Sequence, residues 1–447
     1  MIKENIKKDD LMEKIVSLAK RRGFIFSGSE IYGGLRGTWD YGPLGSELKF
    51  NIKQEWWKAI VKNRDDIVGL SASIIMNPKV WEASGHTGAK GLSDFLIECK
   101  TCHQRFRLGQ EEIIHDHEEE HKKKKEKVAW TEPKKFNLLV ETKLGVIEGQ
   151  KSTVYLRGEI TQGVHVNFKN ILDSSRLKIP FGVGQIGKAF RNEITPGNFT
   201  YRSIEFEQME LQYYVKPDEK ESMKHYDFWK NERMVWYQSL GIKKSNLRFR
   251  EHAKNELAHY ARAAWDIEYS SPFGWKECEG IHHRGDWDLS RHQKFSGQDL
   301  SYFDQEANKR YLPWVIETSG GVDRAALFFL LDAYEEEDDR IVLKLDPRLA
   351  PYKVAVFPLL GNKPELTKKA REIYDDLKKR FMTAWDDRGN IGKRYYSQDE
   401  IGTPWCVTVD FDSLKDKKVT VRDRDTMKQK RIVIKGLIDY FKENLEK

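Results

Sequence analysis

Phe190-Arg191-Asn192-Glu193, followed after a short charged stretch by residues 201–210 (YRSIEFEQME), gives the clearest indication of how this chain folds. The pattern predicts a strand, a loop and a second strand. Alternate residues of a strand share a face. The second strand should therefore present Phe206, Gln208 and Glu210 on one face and Glu205, Glu207 and Met209 on the other. Polar groups on both faces are unusual for a core strand and indicate a site.

The residue types of these two strands suggest what the site binds. An aromatic ring flanked by carboxylates suits a pocket that stacks a planar base and holds an ammonium group. Arg191, one strand back, is placed to meet a phosphate. The alternative is a hairpin on a solvated sheet face whose charges pair with one another.

A second segment, residues 317–324 (ETSGGVDR), precedes a predicted helix with a clear apolar face. Arg324 falls in the first turn of that helix, where a cation opposes the helix dipole. Its placement is better explained if an anion binds at the helix N-terminus. Pairing of Arg324 with Asp323 or Glu317 is the alternative. The chain has no G-x-x-x-x-G-K-[ST] motif, so phosphate binding would not use a P-loop.

These segments resemble the signature motifs of class II aminoacyl-tRNA synthetases. Residues 190–210 resemble motif 2, residues 321–324 resemble motif 3, and the long helix predicted to begin at Pro43 resembles motif 1. Further strings closely resemble the dimeric glycyl-tRNA synthetases, and the similarity runs through nearly the whole chain. These strings are RRGF at 21–24, SEIYGG at 29–34, DYGPLG at 40–45, QIGKAF at 185–190 and TVRDRD at 420–425.

The resemblance implies an ATP site. Arg191 would neutralise the α-phosphate while the glycine carboxylate attacks it, Arg324 would hold the γ-phosphate and cover the adenine, and Phe206 would stack on the other adenine face. Glu277 would help to hold Mg²⁺ and would be catalytic together with the two arginines, the alternative being a solvated strand carboxylate. The implied ATP-binding residues are Arg191, Asn192, Glu193, Tyr201, Arg202, Ser203, Ile204, Glu205, Phe206, Glu277, Cys278, Gly321, Val322, Asp323 and Arg324.

The resemblance also implies a glycine site, in which Glu159, Glu210, Glu317 and Ser319 grip the amino acid with carboxylates around its ammonium group. Because glycine has no side chain to recognise, selectivity must come from a filled pocket that excludes larger amino acids. The implied glycine-binding residues are Arg107, Glu159, Phe206, Glu207, Gln208, Met209, Glu210, Glu317, Thr318, Ser319, Gly320 and Gly321.

Two of these residues depart from the family pattern. The family usually has Pro where this chain has Thr318, and Ala or Leu where it has Gly320. Small residues loosen a backbone, so we expect a less rigid loop at this point.

The fold class predicted is α+β: a class II synthetase catalytic domain on an antiparallel sheet at residues 1–349, with an insertion at 85–150, followed by an α/β anticodon-binding domain at 350–447. Residues 111–127 are almost entirely charged or His, which is typical of a solvated arm. After Pro351 the pattern alternates between strand and helix, with a helix that begins at Pro364, as βαβ units do.

Two motifs are discounted. Residues 182–187 satisfy G-x-G-x-x-G, but a strand is predicted to follow them rather than the helix that a dinucleotide fingerprint requires. Cys99-x-x-Cys102 resembles half of a zinc knuckle that His103, His115, His117 or His121 could complete. Because no second Cys pair follows, we favour a lone pair of reduced thiols in a mobile insertion.

Composition sets the wider context. The 447 residues carry a net charge of +7, which is compatible with a nucleic-acid partner, and Lys122–Lys125 could contact tRNA phosphates. Four cysteines cannot form a disulfide framework in so long a chain and fit a reducing compartment. No apolar run approaches the roughly 20 residues of a membrane helix, and the polar N-terminus lacks a secretory signal. We therefore expect a cytoplasmic protein with no membrane association.

The resemblance thus implies a homodimeric ligase that activates glycine with ATP to glycyl-adenylate and transfers glycine to the 3′ end of tRNA(Gly). Its C-terminal domain would read the anticodon through splayed bases. One alternative is a catalytically inactive synthetase-like protein that only binds nucleic acid, which the presence of Arg191, Arg324 and Glu277 disfavours. The other is a class II synthetase for a different amino acid, which the acidic residue set disfavours.

Overall fold

The computed structural model describes residues 8–87, 94–108, 111–146, 152–253, 257 and 261–446. The N-terminal region leads into the central sheet. Its elements are helix α1 (Lys8–Arg22), strand β1 (Ile25–Ser27), a 3₁₀ turn (Glu30–Tyr32), strand β2 (Trp39–Tyr41), helix α2 (Pro43–Trp57) with a π-helical continuation (Lys58–Lys62), strand β3 (Ile67–Leu70) and helix α3 (Pro78–Ala83). The long helix predicted from Pro43 is confirmed.

Helix α2 begins where the sequence predicted because Pro43 occupies its first position, where a missing N–H costs nothing. Its third residue, Gly45, packs directly on the preceding chain. A Cβ atom at Gly45 would overlap the carbonyl oxygen of Phe24, so the helix reaches this position only with glycine there. Leu48, Ile52 and Trp56 then bury one face of the helix in the core.

The predicted insertion contains small sheets and one helix among its described residues. Its elements are β4 (Asp94–Glu98), β5 (Arg105–Arg107), α4 (Glu111–Lys123), β6 (Lys134–Phe136), β7 (Glu141–Leu144) and β8 (Ser152–Tyr155). Strands β5, β4 and β6 form a three-stranded sheet in that order, and β7 pairs with β8. Most of the charged segment predicted as a solvated arm is therefore the helix α4.

The chain then builds the main sheet. The elements are α5 (Thr161–His165), α6 (Phe168–Ser175), β9 (Phe181–Phe190), a 3₁₀ turn (Phe199–Tyr201), β10 (Glu205–Val215), α7 (Glu219–Ser239), a 3₁₀ turn (Lys244–Asn246), β11 (Leu247–Glu251), β12 (Ala263–Ser271), β13 (Gly274–Gly285), α8 (Trp287–Ser296), β14 (Tyr302–Asp304), β15 (Lys309–Tyr311), β16 (Trp314–Gly321), α9 (Val322–Ala333), β17 (Tyr334–Glu337) and β18 (Arg340–Leu343).

The main sheet has seven strands in the order β11-β12-β13-β16-β10-β9-β3. Neighbouring strands are antiparallel except for β3 and β9, which are parallel. The strand–loop–strand prediction at residues 190–210 is confirmed, since β9 and β10 pair with Phe190 opposite Glu205. The G-x-G-x-x-G sequence at 182–187 lies inside β9, so the prediction that no helix follows it is also confirmed.

Helices α2, α7 and α9 cover one face of this sheet and share the largest hydrophobic core with it. Helix α7 begins at Asp218, whose side chain accepts a hydrogen bond from the backbone N–H of Glu221. Helices α5, α6 and α8 cover part of the opposite face around Phe168, Tyr214 and Leu289. The part of that face between the helices and the loop after β9 is left open.

The C-terminal region folds around a core of its own. Its elements are β19 (Val354–Pro358), α10 (Pro364–Leu377), β20 (Thr383–Trp385), α11 (Ile391–Asp399), β21 (Trp405–Val409), α12 (Ser413–Asp416), β22 (Lys418–Asp423), β23 (Gln429–Val433), a 3₁₀ turn (Ile434–Gly436) and α13 (Leu437–Leu445). The sheet order is β20-β19-β21-β22-β23, with β19 parallel to both β20 and β21. The helix predicted from Pro364 is confirmed.

Candidate active site

A cavity of about 230 Å³ lies on the open face of the main sheet, where strands β10, β16 and β13 run side by side. The walls come from these strands, the loop between β9 and β10, the start of α5 and the start of α9. The lining residues are Glu159, Thr161, Arg191, Glu193, Thr200, Tyr201, Arg202, Ser203, Phe206, Glu207, Gln208, Glu210, Glu277, His282, Arg284, Glu317, Ser319, Gly321, Asp323 and Arg324.

Strand alternation explains the contribution of β10. Phe206, Gln208 and Glu210 all line the cavity, as the sequence predicted for residues that share a face. Met209 points the other way and is fully buried in the core beneath α9. Glu207 also borders the cavity, but its carboxylate pairs with Lys49 and Lys53 of α2.

The segment before α9 is more rigid than the sequence analysis expected. Residues 317–321 are the end of strand β16, which is paired on one side with β10 and on the other with β13. The prediction of a loose loop at this point is therefore wrong, because these residues belong to a strand that is hydrogen-bonded to a neighbour on each side. A Cβ atom at Gly320 would lie 3.0 Å from Oε2 of Glu279, so the small residue relieves crowding behind the sheet.

A β-bulge on β13 places Glu277 in the cavity. Ile267 pairs with Glu279 and the next residue, Glu268, pairs with Glu277, so Cys278 is an extra residue in this strand. Without that extra residue Glu277 would face the same way as Glu279, which is buried against Arg233 of α7. The bulge reverses the alternation at one point and aims a carboxylate at the site.

Arg324 is held by a carboxylate and an aromatic ring. Its Nη1 lies 3.0 Å from Oε1 of Glu277, and its guanidinium carbon lies 4.5 Å from the ring centre of Tyr201. The pairing with Asp323 or Glu317 that the sequence allowed does not occur. Burial alone would raise the pKa of Glu277, but the nearby charge of Arg324 holds that pKa below its usual value.

Arg191 is held differently. Its Nε donates to the carbonyl oxygen of Gly158 at 2.9 Å, and its guanidinium carbon lies 5.4 Å from the ring centre of Phe206. Among the described residues, no carboxylate forms an ion pair with it. A guanidinium that lines a cavity without an internal counter-charge is suited to an incoming anion.

Three carboxylates gather at the other end of the cavity: Glu159, Glu210 and Glu317. Glu210 is 1% exposed and accepts hydrogen bonds from Ser319 Oγ and Thr161 Oγ1, both at 2.7 Å. Thr161 Oγ1 also lies 3.2 Å from Glu317, so one hydroxyl bridges two carboxylates. Because three carboxylates crowd into one part of the cavity, the binding of a cation there is electrostatically favourable.

The three carboxylates differ in how easily they ionise. Burial and the neighbouring charges of Glu317 and Glu159 raise the pKa of Glu210 well above its usual value. Burial acts on Glu317 in the same direction, but Arg284 and His282 outweigh it and lower the pKa of Glu317. Arg284 Nη1 lies 3.1 Å from Glu317, and His282 Nδ1 lies 3.0 Å from the same oxygen. Glu210 is therefore the carboxylate left without a strong cationic partner among the described residues.

Some predicted residues do not line the cavity. These are Asn192, Ile204, Glu205, Met209, Cys278, Thr318, Gly320 and Val322. The side chains of Met209, Cys278 and Val322 lie in the core behind the sheet because of strand alternation, the bulge and the start of α9. These three residues can therefore contact a ligand only through their backbone atoms. Arg107 belongs to β5, but its side chain lies outside the described part of the chain.

Sequence reasoning missed four lining residues, namely Thr161, Thr200, His282 and Arg284. The last two carried a signal that was not used. His282 and Arg284 are two residues apart on the strand that holds Glu277, a spacing that places two polar side chains on one face of a strand. Thr161 begins the short helix α5 and Thr200 lies in a 3₁₀ turn, and the tertiary fold decides where both of these elements lie relative to the sheet.

In the described part of the chain, no helix is long and apolar enough to cross a membrane. A family model described as an anticodon binding domain matches residues 353–444. Glycine--tRNA ligase from Thermobifida fusca (strain YX) is 50% identical over 463 aligned residues, which cover 98% of this chain and 99% of that protein. Glycine--tRNA ligase from Borreliella burgdorferi (strain ATCC 35210 / DSM 4680 / CIP 102532 / B31) is 52% identical over 442 residues, covering 97% of each.

Among solved structures, prolyl-tRNA synthetase from Cryptosporidium parvum complexed with halofuginone and AMPPNP superposes with a TM-score of 0.68. The two chains are 16% identical, and the match covers 99% of this chain and 79% of that one. At that identity the likeness shows a shared class II synthetase fold. It does not bear on the substrate.

Proposed function

This chain belongs to the family of glycine–tRNA ligases, and we propose that the cavity on its main sheet joins glycine to ATP and then passes the glycyl group to tRNA(Gly). The single observation that carries the proposal is the division of the cavity. Two arginine–aromatic pairs lie at one end, and three carboxylates, of which Glu210 and Glu317 are buried, lie at the other. The first set suits a nucleotide triphosphate and the second suits an amino acid's ammonium group.

The nucleotide end accounts for the first half of the reaction. A carboxylate oxygen of glycine attacks the α-phosphorus of ATP. The bond between that phosphorus and the oxygen bridging the α- and β-phosphates breaks, and pyrophosphate leaves with the electron pair of that bond. In our proposal Arg191 neutralises the α-phosphate, Arg324 holds the γ-phosphate, and Phe206 stacks on the adenine. Positioning and charge stabilisation supply most of the catalysis in such transfers, so no side-chain nucleophile is needed.

Glu277 is our candidate for helping to hold Mg²⁺. Mg²⁺ usually binds through one or two carboxylates, phosphate oxygens and several waters. Glu277 lines the cavity beside Arg324 and its side chain is 44% exposed, so its carboxylate fits that donor set. When bound, the ion would neutralise charge on the phosphates.

The acidic end accounts for the amino acid. We propose that Glu159, Glu210 and Glu317 surround the ammonium group of glycine and that Ser319 completes the contact. Thr161 and Gln208 fill the space next to Glu210 with hydrogen bonds to its two oxygens. A pocket already filled by these side chains leaves no volume for a larger amino acid, which is how glycine can be selected without a side chain to recognise.

In the second half of the reaction, a terminal ribose hydroxyl of the tRNA attacks the glycyl carbonyl and AMP leaves. We propose that the domain at 350–447, which includes the anticodon-binding match, contacts the anticodon, and that α2 contributes to a homodimer interface. The cytoplasm is our expectation for where the protein acts, because charged tRNA is consumed there by translation.

The test is glycine-dependent exchange of labelled pyrophosphate into ATP, run on the full chain without tRNA and repeated with the other amino acids. We expect exchange with glycine alone. Arg324→Ala should lower the exchange rate by about 10²–10³-fold, the usual cost of removing one preorganised donor to developing charge. Arg388→Ala is the matched control, because Arg388 lies in the C-terminal region with a side chain 90% exposed and should leave the rate unchanged.

Each alternative has its own outcome. No exchange with any amino acid would favour a protein that only binds nucleic acid. Exchange with serine or alanine and none with glycine would assign the chain to another amino acid. Retention of full activity by Arg324→Ala would contradict the role proposed for the nucleotide end.

A further inference from the structure

Four metal-ligating side chains meet in the insertion, away from the cavity. They are Cys99, Cys102, His117 and His121, and one donor atom from each lies within 4.8 Å of the other three. Cys102 Sγ lies 3.6 Å from His117 Nε2. The two thiols are therefore not the lone pair that the sequence favoured.

The local fold explains how the four residues meet. Cys99 directly follows strand β4, and Cys102 lies in the next turn, which is closed by a hydrogen bond from the His103 N–H to the Cys99 carbonyl oxygen at 2.8 Å. His117 and His121 are four residues apart on α4, so they share one face of that helix. A turn and a helix from separate parts of the segment thus supply two donors each.

Three of the four side chains are buried, although the segment around them is strongly charged. Cys99 is 0% exposed and His117 and His121 are 6% and 5% exposed, whereas Cys102 is an exposed residue. Phe106 and Trp130 pack against the His117 ring, with centroids 4.6 Å and 5.6 Å away. Around this cluster α4 is otherwise strongly charged, so two inward-facing imidazoles beside two thiols call for a specific reason.

The spacing in the sequence points the same way. Fourteen residues separate Cys102 from His117, which gives the pattern C-x₂-C-x₁₄-H-x₃-H. Two cysteines on a turn followed by two histidines on a helix at this spacing form a zinc-ligand pattern. The sequence analysis allowed His117 or His121 to complete such a site but favoured lone thiols because no second Cys pair follows, whereas here the second pair of donors consists of histidines.

We propose that these four residues bind one Zn²⁺ ion in a tetrahedral Cys₂His₂ site. Zinc–sulfur and zinc–nitrogen bonds of about 2.3 and 2.0 Å place neighbouring donors about 3.3–3.8 Å apart, which the 3.6 Å contact already meets. Two thiolates balance the charge of the ion. Since four protein donors leave no open position, the site is structural and takes no part in the chemistry of the cavity.

The site lies in a subdomain that touches the wall of the cavity. Thr195, in the loop between β9 and β10, donates a hydrogen bond to the carbonyl oxygen of Arg105 at 3.1 Å. The N–H of Asn192 in the same loop donates to the carbonyl oxygen of Leu138 at 2.8 Å. Zinc would fix the β4–β5 turn against α4 and so stabilise the platform on which this loop rests.

The experiment measures metal content of the purified full chain by plasma mass spectrometry. We expect about one Zn²⁺ per chain in the parent protein and less than about a tenth in Cys102→Ser and His117→Ala. His115→Ala and Cys406→Ala are the matched controls, one on the same helix and one a buried thiol of the C-terminal region. Both should keep the full zinc content. Equal zinc in all five proteins, or no zinc in the parent after growth with added zinc, would overturn the proposal.

A second measurement does not depend on the variants folding. The parent chain is stripped of metal with a chelator and titrated with Co²⁺, whose visible spectrum reports its geometry. Intense d–d bands with thiolate charge transfer are expected of a tetrahedral S₂N₂ site, and a weak octahedral spectrum would overturn the proposal. Glycine-dependent exchange on the same preparation keeps the two proposals separate, since its failure changes neither the zinc count nor the cobalt spectrum.

Discussion

At the scale of single residues, the raised pKa of Glu210 predicts how the binding of glycine should depend on pH. Its pKa is raised by burial and by two neighbouring carboxylates, so below that raised pKa it holds a proton and is neutral. A neutral Glu210 attracts an ammonium group less strongly than the carboxylate does. The KM for glycine in the exchange assay should therefore fall, by up to about tenfold, as the pH rises from about 6 to about 9.

Glu210→Gln tests that sign. Glutamine keeps the shape but cannot ionise, and its amide oxygen accepts from only one of the hydroxyls of Thr161 and Ser319 while its NH2 group donates to the other. The KM for glycine should therefore be high and independent of pH over the same range. Glu306→Gln changes a carboxylate that is 83% exposed and should leave the pH profile of the parent unchanged. A parent KM that rises with pH would contradict the assignment of Glu210 to the ammonium group.

At the scale of elements, the site depends on how α9 is held against its neighbours. Asp323, in the first turn of α9, lies 2.8 Å from Lys49 of α2 and accepts a hydrogen bond from the N–H of Glu207 on β10 at 2.6 Å. One side chain therefore joins two helices and a strand. Arg324 is the next residue along α9, so its position is inherited from this junction.

Asp323→Asn should weaken the contact between α9 and α2 without leaving Lys49 unpaired, because Lys49 keeps Glu207 as a partner. We expect a loss of about 1–3 kcal/mol in stability, measured as a lower thermal midpoint. The KM for ATP should rise by about tenfold while kcat changes less. Asp375→Asn on the exposed face of α10 is the control, and it should alter neither quantity.

At the scale of the whole molecule, a buried charge network joins the two main regions. Asp399 of α11 is 0% exposed and accepts hydrogen bonds from Arg340 of β18 at 2.6 Å and from Arg422 of β22 at 2.8 Å and 2.9 Å. Arg340 belongs to the region of the main sheet and the other two belong to the C-terminal region. The orientation of the C-terminal region is fixed in part by this contact.

Asp399→Asn should remove the carboxylate partner of the buried Arg422 and leave the buried Arg340 with Glu337 as its remaining carboxylate partner. Breaking a buried pair in this way typically costs about 3–5 kcal/mol, so we expect a clear fall in the thermal midpoint. Aminoacylation of tRNA should fall more than pyrophosphate exchange, because only the former needs both regions in register. Asp376→Asn removes an exposed partner of Lys379 and should change neither activity. An equal fall in both activities would indicate general unfolding instead.

Local pattern was enough to predict part of the cavity wall and the starts of two helices. Strand alternation on β10 gave the shared face of Phe206, Gln208 and Glu210, and Pro43 and Pro364 gave the starts of two helices, since both rules act between residues close in sequence. The family resemblance added the expectation of a class II synthetase for glycine. These parts follow from the order of residues alone.

The tertiary structure decided what depends on residues distant in sequence. The bulge at Cys278 turns Glu277 toward Arg324, and sheet pairing on both sides stiffens a segment that was expected to be a loose loop. His282 and Arg284 meet Glu317 only because β13 and β16 are neighbours. His117 and His121 meet Cys99 and Cys102 because α4 folds back on a turn. The net charge around a site depends on all the side chains that surround it, and the order of residues along the chain does not show which distant residues become neighbours.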